Sequence, residues 1–514
     1  MKYPSNQVNR GICLLGFFLL IFPVSSFCQK EDYNWLQGYD YGYDTTINRW
    51  FRISKFDFND DTLKISHDSL EMWFLTTNTS YSNSAGSLLF YTNGVHIANG
   101  LNEKIEYSDS MNAGFYQFNY LPDIHKLGYN TYEGIIALED PANRNNYYLI
   151  HSFIDTTNAN YDLGCKRIYY TYLDMNANVG HGKVVAKDQT ILSGRFGYDL
   201  KATRHANGRD WWILAQKRGT NCYERILIDN KGIHAAGTTC GGQNVYGLSG
   251  SCCFSQDGSK YVYVNINGGI NLFDFDRCSG DLNNAKYKPL PIFLDTGLIG
   301  IGTAFSSNNR FLYVNAQIHC YQFDLWANDV WASIDTVAFY DGAQNPFASV
   351  FHTMQIAPDG KIYSSCGNTE WVYHVIDRPD LKGDSCLFRQ HGIELPSFCA
   401  GVPNFINYRL GALVGSGCDT LTGVDEMVEK EKLLKVYPNP ATDFAGIDYG
   451  FTNWSKGEVS LEISNELGQV VYAQLLPRYS GFQKINVSEF ASGFYTAYIK
   501  RSNQIVATAK FQKL

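Results

Sequence analysis

The chain has 514 residues, with 42 Lys and Arg against 50 Asp and Glu, and aromatic side chains make up 15% of it. A net charge of −8 with no basic run excludes a nucleic-acid partner, which needs a cationic footprint to displace counterions. That length holds two to four average domains, or one large β domain with a small companion.

At the N-terminus, Lys2 and Arg10 precede an apolar run over residues 11 to 27, and Ser26 and Cys28 sit where a cleavage site needs small side chains. The pattern predicts a secretory signal peptide over residues 1–28, with the mature chain starting near Gln29. Removing it leaves 40 cationic and 50 acidic side chains. No later apolar run reaches about 18 residues, so no membrane span is expected after cleavage. Eleven cysteines remain, and in an exported chain we expect one to three disulfides, with at least one thiol left over. Cys320 and Cys366 read as buried small hydrophobes. The cysteines are not spaced as C-x-x-C and the histidines do not form H-x-x-x-H, so neither a metal site nor a cofactor is expected.

Further along the chain, residues 57–68 (DFNDDTLKISHD) and 174–180 (DMNANVG) alternate acids and amides as calcium loops do. The first lacks the Gly and Glu such a loop requires, and both read as Asx-capped turns. Residues 101–130 read as a long, partly helical connection. Then a repeat appears. FSQDGSKYVYV from 254, FSSNNRFLYV from 305 and IAPDGKIYSS from 356 share one template with TRHANGRDWWILA from 203. Each places an apolar residue, a polar turn and an apolar strand in that order. The strand opens at Trp211, Tyr261, Phe311 and Ile362, which are 50, 50 and 51 residues apart. An earlier copy puts Tyr147 64 residues before Trp211, which implies an insertion. A second mark follows each turn: an apolar strand ending in Asp174, Asp229, Asp276, Asp324 or Asp377.

Two marks sharing a period near 50 residues are the signature of a β-propeller. Each unit is a thin antiparallel sheet that gains stability only by stacking on its neighbours. We expect an all-β body over residues 29–412 with about seven blades, six and eight remaining open. The seventh is expected to combine residues 50–58 with a final strand near 401–410, closing the ring. His205 and His352 precede blade turns and are candidates for the axial funnel. Trp211 and Trp212 are candidates for a ligand-stacking face. No Gly-x-Ser-x-Gly motif is present: in residues 247–253 (GLSGSCC) a Gly follows Ser249 one place too early. A carboxylate pair assembled from distant residues stays open.

Residues 86–100 (GSLLFYTNGVHIANG), 133–152, 169–185 and 401–406 (GVPNFI), in that order, resemble the propeller region of exported surface proteins from the Bacteroidota. Members of that kind mostly lack a defined activity, so the resemblance implies fold and destination. A boundary follows, with residues 413–433 read as a linker. The last segment, 434–514, shows short alternating strands and reads as a small antiparallel β-sandwich of about seven strands. Pro438, Asn439 and Pro440 open it, with an extended approach expected because two prolines fix φ and remove two donors. Asn465, Gly468 and Gln469 form a mid-domain turn, and Gly493 and Tyr495 stand in a third block.

These residues resemble the C-terminal sorting domain, type A, of the type IX secretion system. Phe490 and Phe494 near Gly493 depart mildly from its pattern. The resemblance implies passage to the periplasm, recognition by the outer-membrane translocon and sorting machinery, and a cut in the linker. The body is then expected at the outer surface or released. For the body, the reading is a non-catalytic binding module for a glycan or surface protein. One alternative is a polysaccharide hydrolase or lyase with its site in the funnel. Another is a structural component of surface or gliding machinery.

Overall fold

Every repeat mark falls on the same place in a sheet. The second strand of successive sheets starts at or next to Trp211, Tyr261, Phe311 and Ile362, and the third strand ends at or just before the recurring Asp. These positions come from a computed structural model. It describes residues 29–418 and 434–514, apart from 40–41, 47, 61, 71, 115–127, 157–162, 248–249, 291–299, 345–346, 451–458, 477–479 and 502–503. The signal segment lies outside the described residues.

Seven antiparallel sheets of three or four strands follow one another between residues 34 and 399 among the described residues, with a two-stranded hairpin, Gly42–Asp44 and Arg49–Phe51, inserted in the first. Blade 1 holds Asn34–Gln37, Ile53–Asp57 and Lys64–Asp68, and blade 2 holds Thr79–Ser82, Leu88–Thr92 and Ile97–Asn99. Blades 3 to 7 have four strands each and open with Ile135–Glu139, Lys201–Arg204, Gly250–Phe254, Ile301–Phe305 and Met354–Ile356. The extra length before Trp211 is spent in blade 3, whose outer strands Asn146–Thr156, Leu163–Asp174 and Lys183–Phe196 are 11, 12 and 14 residues long. No α-helix occurs among the described residues. Of the connection 101–130, expected to be partly helical, residues 101–114 hold turns and no helix, and 115–127 lie outside the described residues.

Local chemistry explains the repetition. In four blades the first strand ends in one turn, with the N–H of Gly208, Gly258, Asn309 and Gly360 donating to the carbonyl three residues back. All four have φ between 60° and 78°, which Gly and Asn adopt at least cost. Asp174, Asp229, Asp276 and Asp324 each accept the N–H two residues on at 2.7–3.1 Å, which caps the turn after the third strand. Asp377 instead pairs with Lys361 and Arg389. Aromatic rings fill the gaps between sheets. Tyr223 of blade 4 meets Tyr261, Tyr263 and Phe273 of blade 5 edge-on at 5.5–5.9 Å, a favoured geometry for rings.

The ring closes differently from the sequence expectation. Blade 1 takes all its strands from residues 34–68, and blade 7 supplies its own fourth strand, Phe388–Cys399. Residues 401–410 form no strand. They run through the centre as a strap. Val402 donates to Thr353 of blade 7, and Asn404 donates its N–H to the Asn78 carbonyl beside blade 2. The Asn404 amide Nδ2 also donates to the carbonyls of Glu133, Ile135 and Leu200 at 2.9–3.1 Å. Phe405 stacks on Trp35 of blade 1, and Asn407 donates to the Gln256 carbonyl next to blade 5. Six consecutive residues, 402–407, can reach six blades only from the axis. The apolar alternation of 401–410 imitates a strand, but its backbone groups are spent on six different partners instead of one ladder.

Two disulfides form among the described residues, Cys222–Cys240 within blade 4 and Cys278–Cys418. The second ties the chain beyond the strap back to blade 5, and Leu413 also donates to the Ala206 carbonyl. Residues 413–418, read from the sequence as linker, are therefore bound to the body, and 419–433 lie outside the described residues. Among the described residues seven thiols stay free, with Cys320 and Cys366 fully buried. Asp57 turns back on Asn59 as an Asx turn. Asp61 lies outside the described residues.

The second unit begins at 420, and its described residues form a seven-stranded sandwich with its own core. Leu434–Tyr437, Phe444–Gly450 and Ser480–Asn486 make one sheet, and the other runs in the order Val470–Leu475, Val459–Ser464, Gly493–Arg501, Gln504–Lys513. Ile447, Leu461, Ile463, Ala497 and Ile499 are fully buried between them.

Candidate functional site

Where four inner strands reach their turns, the body opens into a cavity of about 270 Å³ around the axis. Its wall comes from blades 4 to 7, one short stretch from each, and its floor from strap residues Phe405, Ile406 and Asn407. Asn404, Phe405 and Ile406 are buried beneath it, so the cavity is blind. Gln256 and Ser307 occupy the same place in successive repeats, the residue before the turn's Asx. Pro358 holds that place in blade 7.

The charged groups at the cavity are paired. Arg409 grips Asp32 with two hydrogen bonds of 2.6 and 2.7 Å and donates to the Gln29 carbonyl, joining the two ends of the body. Lys201 Nζ donates to Gln355 Oε1 at 3.2 Å and to the Phe405 carbonyl at 3.0 Å, and Glu133 Oε1 lies 3.9 Å away. Cys253 also lines the cavity, and burial pushes its thiol up to about 12, which removes the thiolate a nucleophile needs.

Below the cavity wall sits a buried acidic pair. Burial raises the carboxyl of Glu133, with Lys201 opposing, and raises that of Asp199 well above its ordinary value, with Glu133 adding to the shift. Asp199 Oδ2 accepts from Gly250 N–H and Tyr263 O–H, both at 2.9 Å. Asp199 Oδ1 and Glu133 Oε1 have no hydrogen-bond partner. Neither residue lines the cavity.

The residues the sequence nominated for the funnel, His205 and His352, and for a stacking face, Trp211 and Trp212, lie away from this cavity. His205 Nε2 meets the Cys278 carbonyl at 3.0 Å, and its Nδ1 accepts from Asn207 N–H. The Trp211 and Trp212 rings are both buried, donating to the carbonyls of Glu139 and Arg277, so neither is free to stack a ligand. His352 is buried against Tyr132 with ring centroids 4.4 Å apart, and burial lowers its pKa to about 4. None of the four touches the cavity. Asp32, Glu133, Asp199, Lys201, Thr203 and Gln256 carried no local motif. Only the repeat alignment, which puts Gln256, Ser307 and Pro358 in register, held a signal for the cavity rim. Among the described residues, no group of three His, Cys, Asp or Glu could hold a metal ion, and no helix is long and apolar enough to cross a membrane.

In the sandwich, the motif residues do structural work. The chain approaches in the extended strand Leu434–Tyr437 and bends at 438–440. Asn439 accepts from Gln512 N–H at 2.9 Å and donates to the Lys510 carbonyl, fastening the opening to the last strand. Asn465 Oδ1 accepts from the N–H of Leu467 and of Gln469, and Gly468, at φ 78°, closes that turn. Gly493 starts the strand Gly493–Arg501, and Tyr495 packs between Phe490 and Phe511 with its hydroxyl on the Ala491 carbonyl.

Residues 435–513 match the family described as the secretion system C-terminal sorting domain. This tail marks the chain for export by the type IX system of the Bacteroidota, to the cell surface or outside, and for contact with that secretion machinery. No curated protein matches the chain. Among solved structures, a proposed 6-phosphogluconolactonase of Bacteroides fragilis is similar at 12% identity and a TM-score of 0.42, covering 73% of this chain and 97% of its own. The Dos1 propeller is similar at 11% identity and 0.38, covering 71% and 88%. The β-propeller domain of Myceliophteria thermophila Cps50 (Swd1) is similar at 9% and 0.32, covering 61% and 86%. Likeness at that level assigns no activity, and the propeller rests on the chain's own seven sheets.

Proposed function

We propose that the exported body is a non-catalytic binding module whose ligand, a surface or matrix component, enters the axial cavity. One observation carries this reading: the ionisable groups lining the cavity are paired (Asp32 with Arg409), hydrogen-bonded to neutral groups (Lys201) or held protonated (Cys253), leaving polar contacts without a proton-transfer pair. The test incubates the secreted protein with polysaccharide fractions of the cell envelope and follows both retention and new reducing ends. Retention without product supports the reading, and steady product release overturns it.

A second reading, a hydrolase or lyase, draws on Glu133 and Asp199. Two neighbouring carboxyls with raised pKa values are what a general acid requires. Both side chains are sealed beneath the wall, which is the reason we rank it second. On this reading, Glu133→Gln would abolish product release while leaving retention intact.

A further inference from the structure

Three features of the cavity point to the chemistry of its occupant. Its charges cancel in place: Arg409 is matched by Asp32, and Lys201 spends its donors on Gln355, the Phe405 carbonyl and Glu133. A charged ligand would have to break one of these pairs without finding a free counter-ion. The polar groups left over are neutral. Thr203, Gln256 and Ser307 line the cavity from blades 4, 5 and 6, and their side chains make no hydrogen bond to other described residues. A hydroxyl donates one hydrogen bond and accepts two, and a primary amide donates two and accepts two, which suits partners that do both. Between these groups the surface is apolar, with Phe254, Phe305, Met354 and Ile356 beside them.

From this we infer that the cavity binds one uncharged sugar ring at the end of a glycan chain. This rests on the binding-module reading and narrows it. Hydroxyls of the ring meet Thr203, Gln256 and Ser307, and its C–H face lies on the apolar wall. The volume is at the lower end of ligand pockets, enough for one ring rather than an oligosaccharide. The floor fixes the polarity of approach. Because the strap plugs the axis, a chain can enter but cannot pass through, so a terminal residue is recognised and an internal one is not.

The secreted full-length protein is titrated with methyl glycosides of glucose, galactose, mannose, fucose and N-acetylglucosamine, and with glucuronic acid and glucosamine as charged probes, by calorimetry and saturation-transfer NMR. At least one neutral glycoside should bind, with each charged probe about tenfold weaker or worse. Gln256→Ala and Thr203→Val, the second nearly isosteric, should each weaken that binding about tenfold while the thermal midpoint holds. In competition, polymers of the bound sugar should act in proportion to their number of chains, not of residues. Failure of every neutral glycoside to bind, tighter binding of a charged probe, indifference to both substitutions, or competition per residue would each overturn the inference. If neutral glycosides fail while envelope polysaccharide is still retained without turnover, the inference falls and the binding-module reading stands. Product release would remove that reading itself.

Discussion

The centres of the two units are built on opposite principles. The sandwich holds aliphatic and aromatic side chains between two sheets, with Ile447, Leu461, Ile463, Ala497 and Ile499 fully buried. The ring holds a polar strap on its axis, with Asn404 bonded to three inner carbonyls and Glu133, Asp199 and Lys201 buried around it. The contrast extends to composition. All eleven histidines and every cysteine lie before residue 420, and none lies in 434–514. A sorting tag so built has no histidine to titrate near neutral pH and no thiol to oxidise. The body depends on groups of both kinds.

The largest effect should come from the covalent latch. Cys418→Ser opens a link spanning 140 residues and should lower the body's stability by about 4 kcal/mol, read as an earlier urea midpoint. The sandwich should keep its midpoint. Next come two core substitutions of similar size and different cause. Asn404→Ala leaves buried carbonyls without a donor and should cost the body about 3 kcal/mol. Leu461→Ala leaves a void in the sandwich and should cost about 3 kcal/mol there, with loss of surface delivery and no change in the body's own unfolding. If either substitution shifted both midpoints equally, the separation of the two units would be wrong.

A pH difference should follow. Burial lowers the pKa of His151 to about 3, of His352 to about 4 and of His374 to about 3. An unfolded histidine takes up its proton near 6.5 and these do not. Their contribution is therefore complete above 6.5 and is lost as pH falls toward 4 and 3, at most about 3 kcal/mol for His352. Glu133 and Asp199 act in the opposite sense, because a raised folded pKa binds the proton sooner in the folded state. Hence His352→Gln should flatten the fall of the body's urea midpoint between pH 7.5 and 5.5, and Asp199→Asn should steepen it. The sandwich should respond to neither. The smallest effect compares two turns: Asp276→Ala in the body and Asn465→Ala in the sandwich should each cost about 1 kcal/mol in their own unit.

The sequence was legible where structure is local or repeated. Turns at Gly208, Gly258, Asn309 and Gly360, and the caps at Asp229 and Asp276, are short-range chemistry, so they recur at a readable interval. The sorting residues from Pro438 to Tyr495 were legible for the same reason. The ring closure was not, because an extended strap and a strand share an apolar alternation, and only long-range partners distinguish Val402–Tyr408 from a ladder. The cavity was illegible for a related reason. It takes about one polar side chain from each of several repeats, and Thr203, Gln256 and Ser307 lie about 50 residues apart with nothing local to join them. Trp211, Trp212 and His352 drew notice by residue type, but all three rings are buried in interior packing and both indole N–H groups are spent on backbone carbonyls.

Hydrogen exchange across residues 400–413 tests most directly whether the ring is closed through its own axis. Amides of Asn404 and Leu413, which donate to Asn78 and Ala206, should exchange only on global unfolding of the body, as slowly as inner-strand amides such as Thr303. Exchange of the 401–412 peptides within seconds, while the inner strands stay protected, would show a loose connector instead of a strap and would leave the cavity without its floor.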